Sequence, residues 1–178
     1  MKKKLIALTA AFLLVIGAAV AGTVAWLTAS TQTEVNTFTV GNIAIELKET
    51  TSDYKMVPGE TIAKDPKVSV TAGSEACWLF VEVEESTNLK SFIDYTIDPS
   101  WTKLEDGVYY REVAAADTVQ EFSVLTNNQV TVKSTVTKAD MDAIEKQTVA
   151  APTLSFTAYA VQKAGITTAA DAWAKTGA

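Results

Sequence analysis

Apolar and polar residues alternate with a period of two along most of the chain, which is the pattern of half-buried β-strands. The clearest case is residues 76–84. One face of this segment is apolar throughout and consists of Cys77, Leu79, Val81 and Val83. The opposite face begins with Trp78 and Phe80 and ends with Glu82 and Glu84. We expect its aromatic end to be covered by a neighbouring loop, with a contact surface as the alternative, and its acidic end to face water.

The same alternation predicts about eight short strands, spaced by about 8 to 15 residues with turn residues between them. They fall at residues 37–40, 43–47, 67–71, 76–84, 101–104, 108–113, 121–125, 130–136 and 153–161. Gly41-Asn42 shifts the phase between the first two, so these form either one bulged strand or two strands joined by a tight turn. This spacing predicts a mainly β protein, an antiparallel sandwich or jelly roll.

Local signals add one hairpin and one or two short helices. Asp106-Gly107 lies between two alternating runs, which predicts a type I′ turn with positive φ at both residues. Thr137 can cap a helix over residues 137–146, because acids follow it and Met141 and Ile144 have helical spacing. A terminal helix is expected over residues 168–175, and residues 89–94 can form a short helical turn.

The N-terminus has the layout of a secretory signal peptide. Three lysines at positions 2–4 precede an apolar segment that extends to about residue 24, and small residues follow. Thr23 and Ala25 satisfy the small-residue rule for cleavage before Trp26, which we prefer to cleavage before Gly22. The competing interpretation is a membrane anchor, since about 20 apolar residues can span the hydrocarbon core.

Processing before Trp26 divides the chain into a signal peptide (1–25), an N-terminal segment (26–35) and one domain (36–178). Loss of the first 25 residues removes three lysines and no acid, so the net charge changes from −6 to −9. An acidic exported protein should have no general attraction for nucleic acid or for anionic membranes, because both are negative. We therefore expect a secreted protein with no stable membrane insertion after cleavage.

The sequence contains few of the residue types and motifs that commonly act in catalysis. The chain contains no histidine, which removes the commonest general base and the usual zinc ligand. Asp140 and Asp142 are the nearest approach to paired carboxylates, and we interpret them as acids at a helix start. We predict no catalytic residue, no metal site and no cofactor. Cys77 is the single cysteine, so an intrachain disulfide is impossible, and a buried thiol is favoured over an intermolecular disulfide.

Several short motifs resemble the TasA/camelysin family. The N-terminal block carries the most specific ones, Gly-Thr-Val-Ala-Trp-Leu-Thr at 22–28 and Asn-Thr-Phe-Thr-Val-Gly-Asn-Ile at 36–43. The turn Val57-Pro58-Gly59-Glu60, with Lys64-Asp65-Pro66 after it, is similar to the family's turn before a strand. Residues 108–113 and 157–162 are also similar to small family members, so the likeness spans most of the chain.

This resemblance implies a jelly-roll subunit that polymerises into extracellular biofilm-matrix fibres or remains at the cell surface. The expected partners are a SipW-type signal peptidase during export, other copies of the chain, and an accessory or anchor subunit. In such fibres the mature N-terminal segment of one subunit is a donor strand for the next. The matching positions here lie within residues 26–35 and include Trp26, Leu27, Thr28, Ala29, Ser30 and Val35.

Three alternatives stay open at this point. Residues 26–35 are only weakly hydrophobic, so they could instead be a disordered tail. A monomeric surface adhesin would share the same fold without assembling. The name camelysin also carries a metallopeptidase activity, which the absence of histidine and of a His-Glu-x-x-His motif disfavours.

Overall fold

The computed structural model describes residues 42–51 and 54–178. Ten strands and three short helices are formed within them. The strands are β1 (Ile45–Lys48), β2 (Thr61–Ala63), β3 (Lys67–Val70), β4 (Cys77–Glu85), β5 (Ile93–Asp94), β6 (Thr102–Glu105), β7 (Val108–Val113), β8 (Gln120–Ser123), β9 (Gln129–Val132) and β10 (Leu154–Gln162). The helices are α1 (Leu89–Phe92), α2 (Lys138–Glu145) and α3 (Ala169–Trp173).

All strand pairs are antiparallel and form three sheets. Sheet I has the order β1-β3-β8, sheet II β10-β4-β7-β6, and sheet III β2-β9-β5. Backbone hydrogen bonds join sheets I and III where β2 leads into β3 and β8 leads into β9. The Lys64 amide donates to the Asn128 carbonyl, and the Val124 amide donates to the Pro66 carbonyl. The predicted class, a mainly β antiparallel jelly-roll-like sandwich, is confirmed.

The main core lies between sheets I and II. Cys77, Leu79 and Val81 of β4 are fully buried and belong to the same apolar cluster as Val68 and Val70 of β3. The predicted apolar face of β4 is therefore confirmed. Burial raises the pKa of the Cys77 thiol, so this free cysteine stays protonated at neutral pH.

The outer face of sheet II is covered where the sequence predicted cover. Trp78 and Phe80 are buried under the C-terminal segment, and the Trp173 ring of α3 lies 5.3 Å from the Phe80 ring, centroid to centroid. The cover thus consists of the expected loop together with a helix, because the Trp78 indole N–H donates to the Ile166 carbonyl in the loop between β10 and α3. Farther along the same face, Glu82 is half-buried and Glu84 is exposed, as the pattern predicted.

A second apolar cluster packs α1 and α2 against sheet III. Its buried members are Leu89, Phe92, Ile93, Leu125, Val130, Val132 and Val136. Helix α2 begins as predicted, because Thr137 and Asp140 form a reciprocal capping box. Strand β9 ends earlier than predicted, at Val132, since the chain turns there and the Val136 amide donates to the Lys133 carbonyl.

The β6–β7 hairpin is confirmed, but its turn is not type I′. Gly107 has a φ of +77°, whereas Asp106 is not among the residues with positive φ. The pairing of β6 with β7 contains an irregularity between Lys103 and Glu105, so the hairpin is not the regular ladder that a two-residue type I′ turn would join. The part of the chain that the structure describes forms three short helices, and α1 lies where the short helical turn was expected.

Candidate functional site: an open strand edge beside an apolar groove

The residues predicted from the sequence to carry function precede the described part of the chain. Thr23, Ala25 and Trp26 of the cleavage site, and the whole donor segment 26–35, lie outside residues 42–51 and 54–178. They remain predictions. What the structure does describe is the surface that such a segment could meet.

Strand β10 is the longest edge strand of the described fold. Its nine residues pair with β4 along their whole length, from Leu154 opposite Glu85 to Gln162 opposite Cys77. No described residue pairs with its other side. Backbone N–H and C=O groups along that side are therefore available to a further strand as far as the described residues are concerned.

The sequence of β10 lacks the features that normally protect an edge. It contains no charged residue and no proline between Leu154 and Gln162. The four-residue edges are better protected, because β1 carries Glu46 and Lys48 and β6 carries two charges and a pairing irregularity. Long, uncharged, straight edges are the ones that recruit another strand.

The inward-facing side chains of β10 belong to the apolar core but are not fully buried. Leu154, Phe156, Ala158 and Ala160 pack against the buried core but stay partly exposed. Strand β1, at the edge of sheet I, lies close to β10 and contributes Ile45 and Leu47 in the same half-buried state. The two layers of the sandwich are thus incompletely closed along this side.

An apolar groove of about 540 Å³ opens beside the N-terminal end of β10. Its apolar lining comes from β2, β9, α1, the segment before β2 and the start of β10 with the residues just before it, and includes Met56, Ile62, Leu89, Val130, Pro152 and Leu154. Two lysines, Lys55 and Lys64, also line it. Lys55 is exposed at the rim, whereas Lys64 is buried and paired with Glu49.

Lys64 is the central polar residue of this region. It is 7% exposed, and its Nζ lies 2.7 Å from Oε1 of Glu49. The Tyr54 hydroxyl donates to the same carboxylate oxygen at 2.7 Å. Burial and the Glu49 carboxylate together raise the pKa of Tyr54, so its hydroxyl stays a donor.

Aromatic rings complete the surroundings of Lys64. Its Nζ lies 4.9 Å from the Tyr54 ring centroid and 5.5 Å from that of Phe156. Such cation–π contacts strengthen when the cation is desolvated, as here. The cluster of Glu49, Tyr54, Lys64 and Phe156 thereby ties the ends of β1 and β2 to β10.

Sequence reasoning missed this cluster. Lys64 stands in Lys64-Asp65-Pro66, which has the composition of an exposed turn, and single lysines are rarely buried. Alternation of polar and apolar residues carries no information on which charged residue finds a buried partner. The strand at residues 153–161 was, by contrast, predicted from the alternation.

The described residues contain no group of three acidic or cysteine side chains that could hold a metal ion. The helix-start interpretation of the two acids is confirmed, because Asp140 accepts from Thr137 and Asp142 pairs with Lys138 at 2.7 Å. Among the described residues, no helix is long and apolar enough to cross a membrane.

Comparison of the chain with protein-family models, with curated proteins and with solved structures gives no match in any of the three.

Proposed function

We propose that this chain is an exported structural subunit that assembles into extracellular fibres by strand donation. In this proposal the mature N-terminal segment, residues 26–35, leaves its own subunit and adds to an open sheet edge of the next. The signal peptide must first be removed, because residues 1–25 would otherwise hold the segment in the export machinery or the membrane.

The observation that carries the proposal is the outer side of β10. Nine consecutive uncharged residues present an edge that no described residue pairs, beside a half-open apolar core. Strand addition satisfies backbone groups in trans and buries apolar side chains at the same time, which is how extended peptides bind sheet edges. An edge of this kind on a secreted monomer would be an aggregation hazard.

The motifs that resemble the TasA/camelysin family support the same function, since that family forms biofilm-matrix fibres. A monomeric adhesin with the same fold is the alternative, and no described feature favours it. The metallopeptidase alternative has no support from the described residues, whose polar clusters serve caps, ion pairs and turns.

The proposal is tested by comparing a chain that begins at Trp26 with one that begins at Asn36. Light scattering and negative-stain microscopy report particle growth. Strand donation predicts fibres from the longer chain and monomers from the shorter one, because only the longer chain has a donor. Monomers from both would contradict intrinsic self-assembly and favour the adhesin.

A further inference from the structure

The free edge of β1 lies beside β10 on the open side of the sandwich. Sheet I has the order β1-β3-β8, so β3 is the only strand that pairs with β1 among the described residues. Ile43, Ile45 and Leu47 pack against the main core but are only half-buried. How this edge is filled is a property of the folded domain and does not depend on the function proposed above.

The backbone groups that β1 leaves free belong to these half-buried residues. The Thr71 amide donates to the Ala44 carbonyl, in the same register as the rest of the β1–β3 pairing. Successive residues of a strand turn their N–H and C=O groups to opposite sides, so the even-numbered residues of β1 point to β3. The N–H and C=O groups of Ile43, Ile45 and Leu47 therefore point to the open side.

The residues just before β1 carry the signal of a two-residue hairpin. Gly41-Asn42 suits a type II′ turn, in which glycine holds the first central position with positive φ. Asn42 is not among the residues with positive φ, and the second central position of this turn needs none. The hydrogen bond of such a turn runs from the Ile43 amide to the Val40 carbonyl, and the Ile43 amide does point to the open side.

This turn would also put matching side chains on the inner face. It places Val40 opposite Ile43 and Phe38 opposite Ile45, and directly opposite residues share one face of a sheet. Both pairs are apolar, and the face that carries Ile43 and Ile45 is the one that packs on the core. The two threonines between and before them would lie on the exposed face. A register shifted by one residue would instead turn Phe38 and Val40 to water.

The turn lies beside the C-terminal end of β10. The Glu75 amide donates to the Asn42 carbonyl. The carbonyl of the next residue, Ala76, accepts from the Lys163 amide, which directly follows the last residue of β10. Residues just before β4 thus bond to the start of the described chain and to the end of β10.

The other end of β1 lies beside the start of β10, because Leu47 and Leu154 line the same cavity. The two strands therefore run in opposite directions, and a strand added through the turn would lie over the C-terminal half of β10. The inward residues there are Ala158 and Ala160, which fill little volume and remain half-buried. The added strand would narrow the gap above them and leave the backbone edge of β10 free.

The alternative, one continuous strand bulged at Gly41-Asn42, offers none of these contacts. β3 ends at Val70, and the chain then turns at Gly73, whose φ is +75°. A straight extension of β1 would therefore find no partner in β3. Its backbone groups would have only water to bond, and its phenylalanine would lie outside the core.

We propose that residues 37–40 fold back on β1 of their own chain and form a fourth strand of sheet I. The Gly41-Asn42 turn joins the two strands, and Phe38 and Val40 point into the core. The edge of β1 is thereby occupied within the chain. An incoming strand from another molecule then meets sheet II, at β10, and not sheet I at this side of the sandwich.

An intrachain disulfide tests the hairpin. In the proposed register Thr39 lies opposite Ala44 on the exposed face as a non-hydrogen-bonded pair, with Cα atoms about 4.5 Å apart. Thr39→Cys with Ala44→Cys should therefore form a disulfide within one chain when the exported protein is mildly oxidised. In a straight strand the same Cα atoms would lie about 17 Å apart, and a disulfide needs about 7 Å or less.

The matched control carries Thr37→Cys with Ala44→Cys, which share the exposed face but are two residues out of register. Thiol counting after unfolding without reductant should find Cys77 alone in the first variant. It should find all three thiols in the control. Three thiols in both variants would overturn the hairpin. Covalent dimers of the first variant on non-reducing gels would show that the segment is exchanged between copies, which would overturn pairing within one chain.

A second measurement tests the inner face of the hairpin. Phe38→Ala should lower the urea midpoint of unfolding by at least about 0.5 M, because it removes an aromatic ring that packs on the core. Thr39→Ala, on the exposed face, should leave the midpoint unchanged. Both are measured at concentrations where light scattering detects no particles. Equal midpoints for the two variants would contradict the packing of Phe38.

Discussion

Lys64 shows how a single residue can hold the open side of this sandwich together. Its ammonium is desolvated, pairs with Glu49, and faces the rings of Tyr54 and Phe156. A buried charge is tolerated only when its partners replace water. The residue therefore links three chain segments that backbone pairing leaves separate.

Removal of the Lys64 charge should lower the stability of the folded protein. We expect Lys64→Met, which keeps most of the volume, to lower the free energy of unfolding by about 1–3 kcal/mol, because it leaves the Glu49 carboxylate partly buried without its cation. Urea denaturation provides the measurement. Lys138→Met is the control, since Lys138 forms an exposed helical pair and should lose no more than about 0.5 kcal/mol. Equal effects of the two substitutions would contradict the role assigned to Lys64.

Glycine is required at position 107 by a positive φ and by a close neighbouring backbone atom. A Cβ there would lie 2.9 Å from the Val83 carbonyl oxygen, and the Val83 amide also donates to Gly107 at 2.7 Å. Gly107→Ala should therefore lower the free energy of unfolding by about 2 kcal/mol more than Gly165→Ala. Gly165 has a φ of +76° but no atom within 4 Å of its Cβ position, so it isolates the conformational cost. Equal losses would show that the hairpin can move away from β4 without cost.

The cap of α2 should give part of the protein's acid sensitivity. Hydrogen bonds from the Thr137 hydroxyl and amide hold the pKa of Asp140 below its usual value. A lowered pKa contributes stability above the unfolded value of about 3.9, and this contribution is lost as the pH falls through the folded value. In urea titrations, the difference between the native chain and Asp140→Asn should therefore be largest above about pH 5 and shrink below about pH 3. A difference that does not change with pH would refute the assignment.

At the scale of elements, β10 combines two roles. One side of the strand completes sheet II through β4, and its half-buried residues connect both apolar cores. Among the residues that the structure describes, none pairs with its other side. A strand that is central to the fold yet unprotected at its edge suggests a surface shaped for pairing and not only for stability.

An inward-pointing charge should block this edge. Ala158→Lys places an ammonium on the inner side of β10, where it can reach water only through the gap that an added strand would close. We expect the folded monomer to persist and assembly to fall at least about tenfold, measured by light scattering. Thr157→Lys, on the exposed side of the neighbouring position, should assemble normally. Loss of assembly in both variants would indicate a general charge effect and not a blocked edge.

Most elements could be predicted from the sequence, because alternation reports directly which strand face is buried. The face of β4 that carries Cys77 is an example, as is the Thr137 cap of α2. The Asp106-Gly107 turn was misassigned, because its conformation depends on the irregularity in β6 and on contact with Val83. Local sequence contains neither of these constraints.

The candidate site was harder to predict. The donor segment was proposed from motifs near the N-terminus, which the described residues do not include. The acceptor edge follows from strand order, and strand order depends on which distant strands pair, as β10 does with β4. The Lys64 cluster depends on contacts between residues far apart in sequence, so periodicity could not reveal it.

At the scale of the whole molecule, the proposed function makes export and assembly one sequence of events. In that proposal the signal peptide keeps the donor segment attached until cleavage before Trp26, and cleavage then frees a segment that can pair with another copy. Cleavage before Trp26 would give the mature chain a net charge of −9, which would keep free subunits apart. Strand pairing would have to overcome this repulsion, so raised salt should favour assembly.

The proposed function requires residues 26–35 of one copy to bind to the β10 edge of another. The most direct measurement is calorimetric titration of a peptide with the sequence of residues 26–35 into the chain that begins at Asn36. We predict saturable binding of one peptide per chain, lost in Ala158→Lys and retained in Thr157→Lys. No binding, or binding that Ala158→Lys leaves unchanged, would contradict the account.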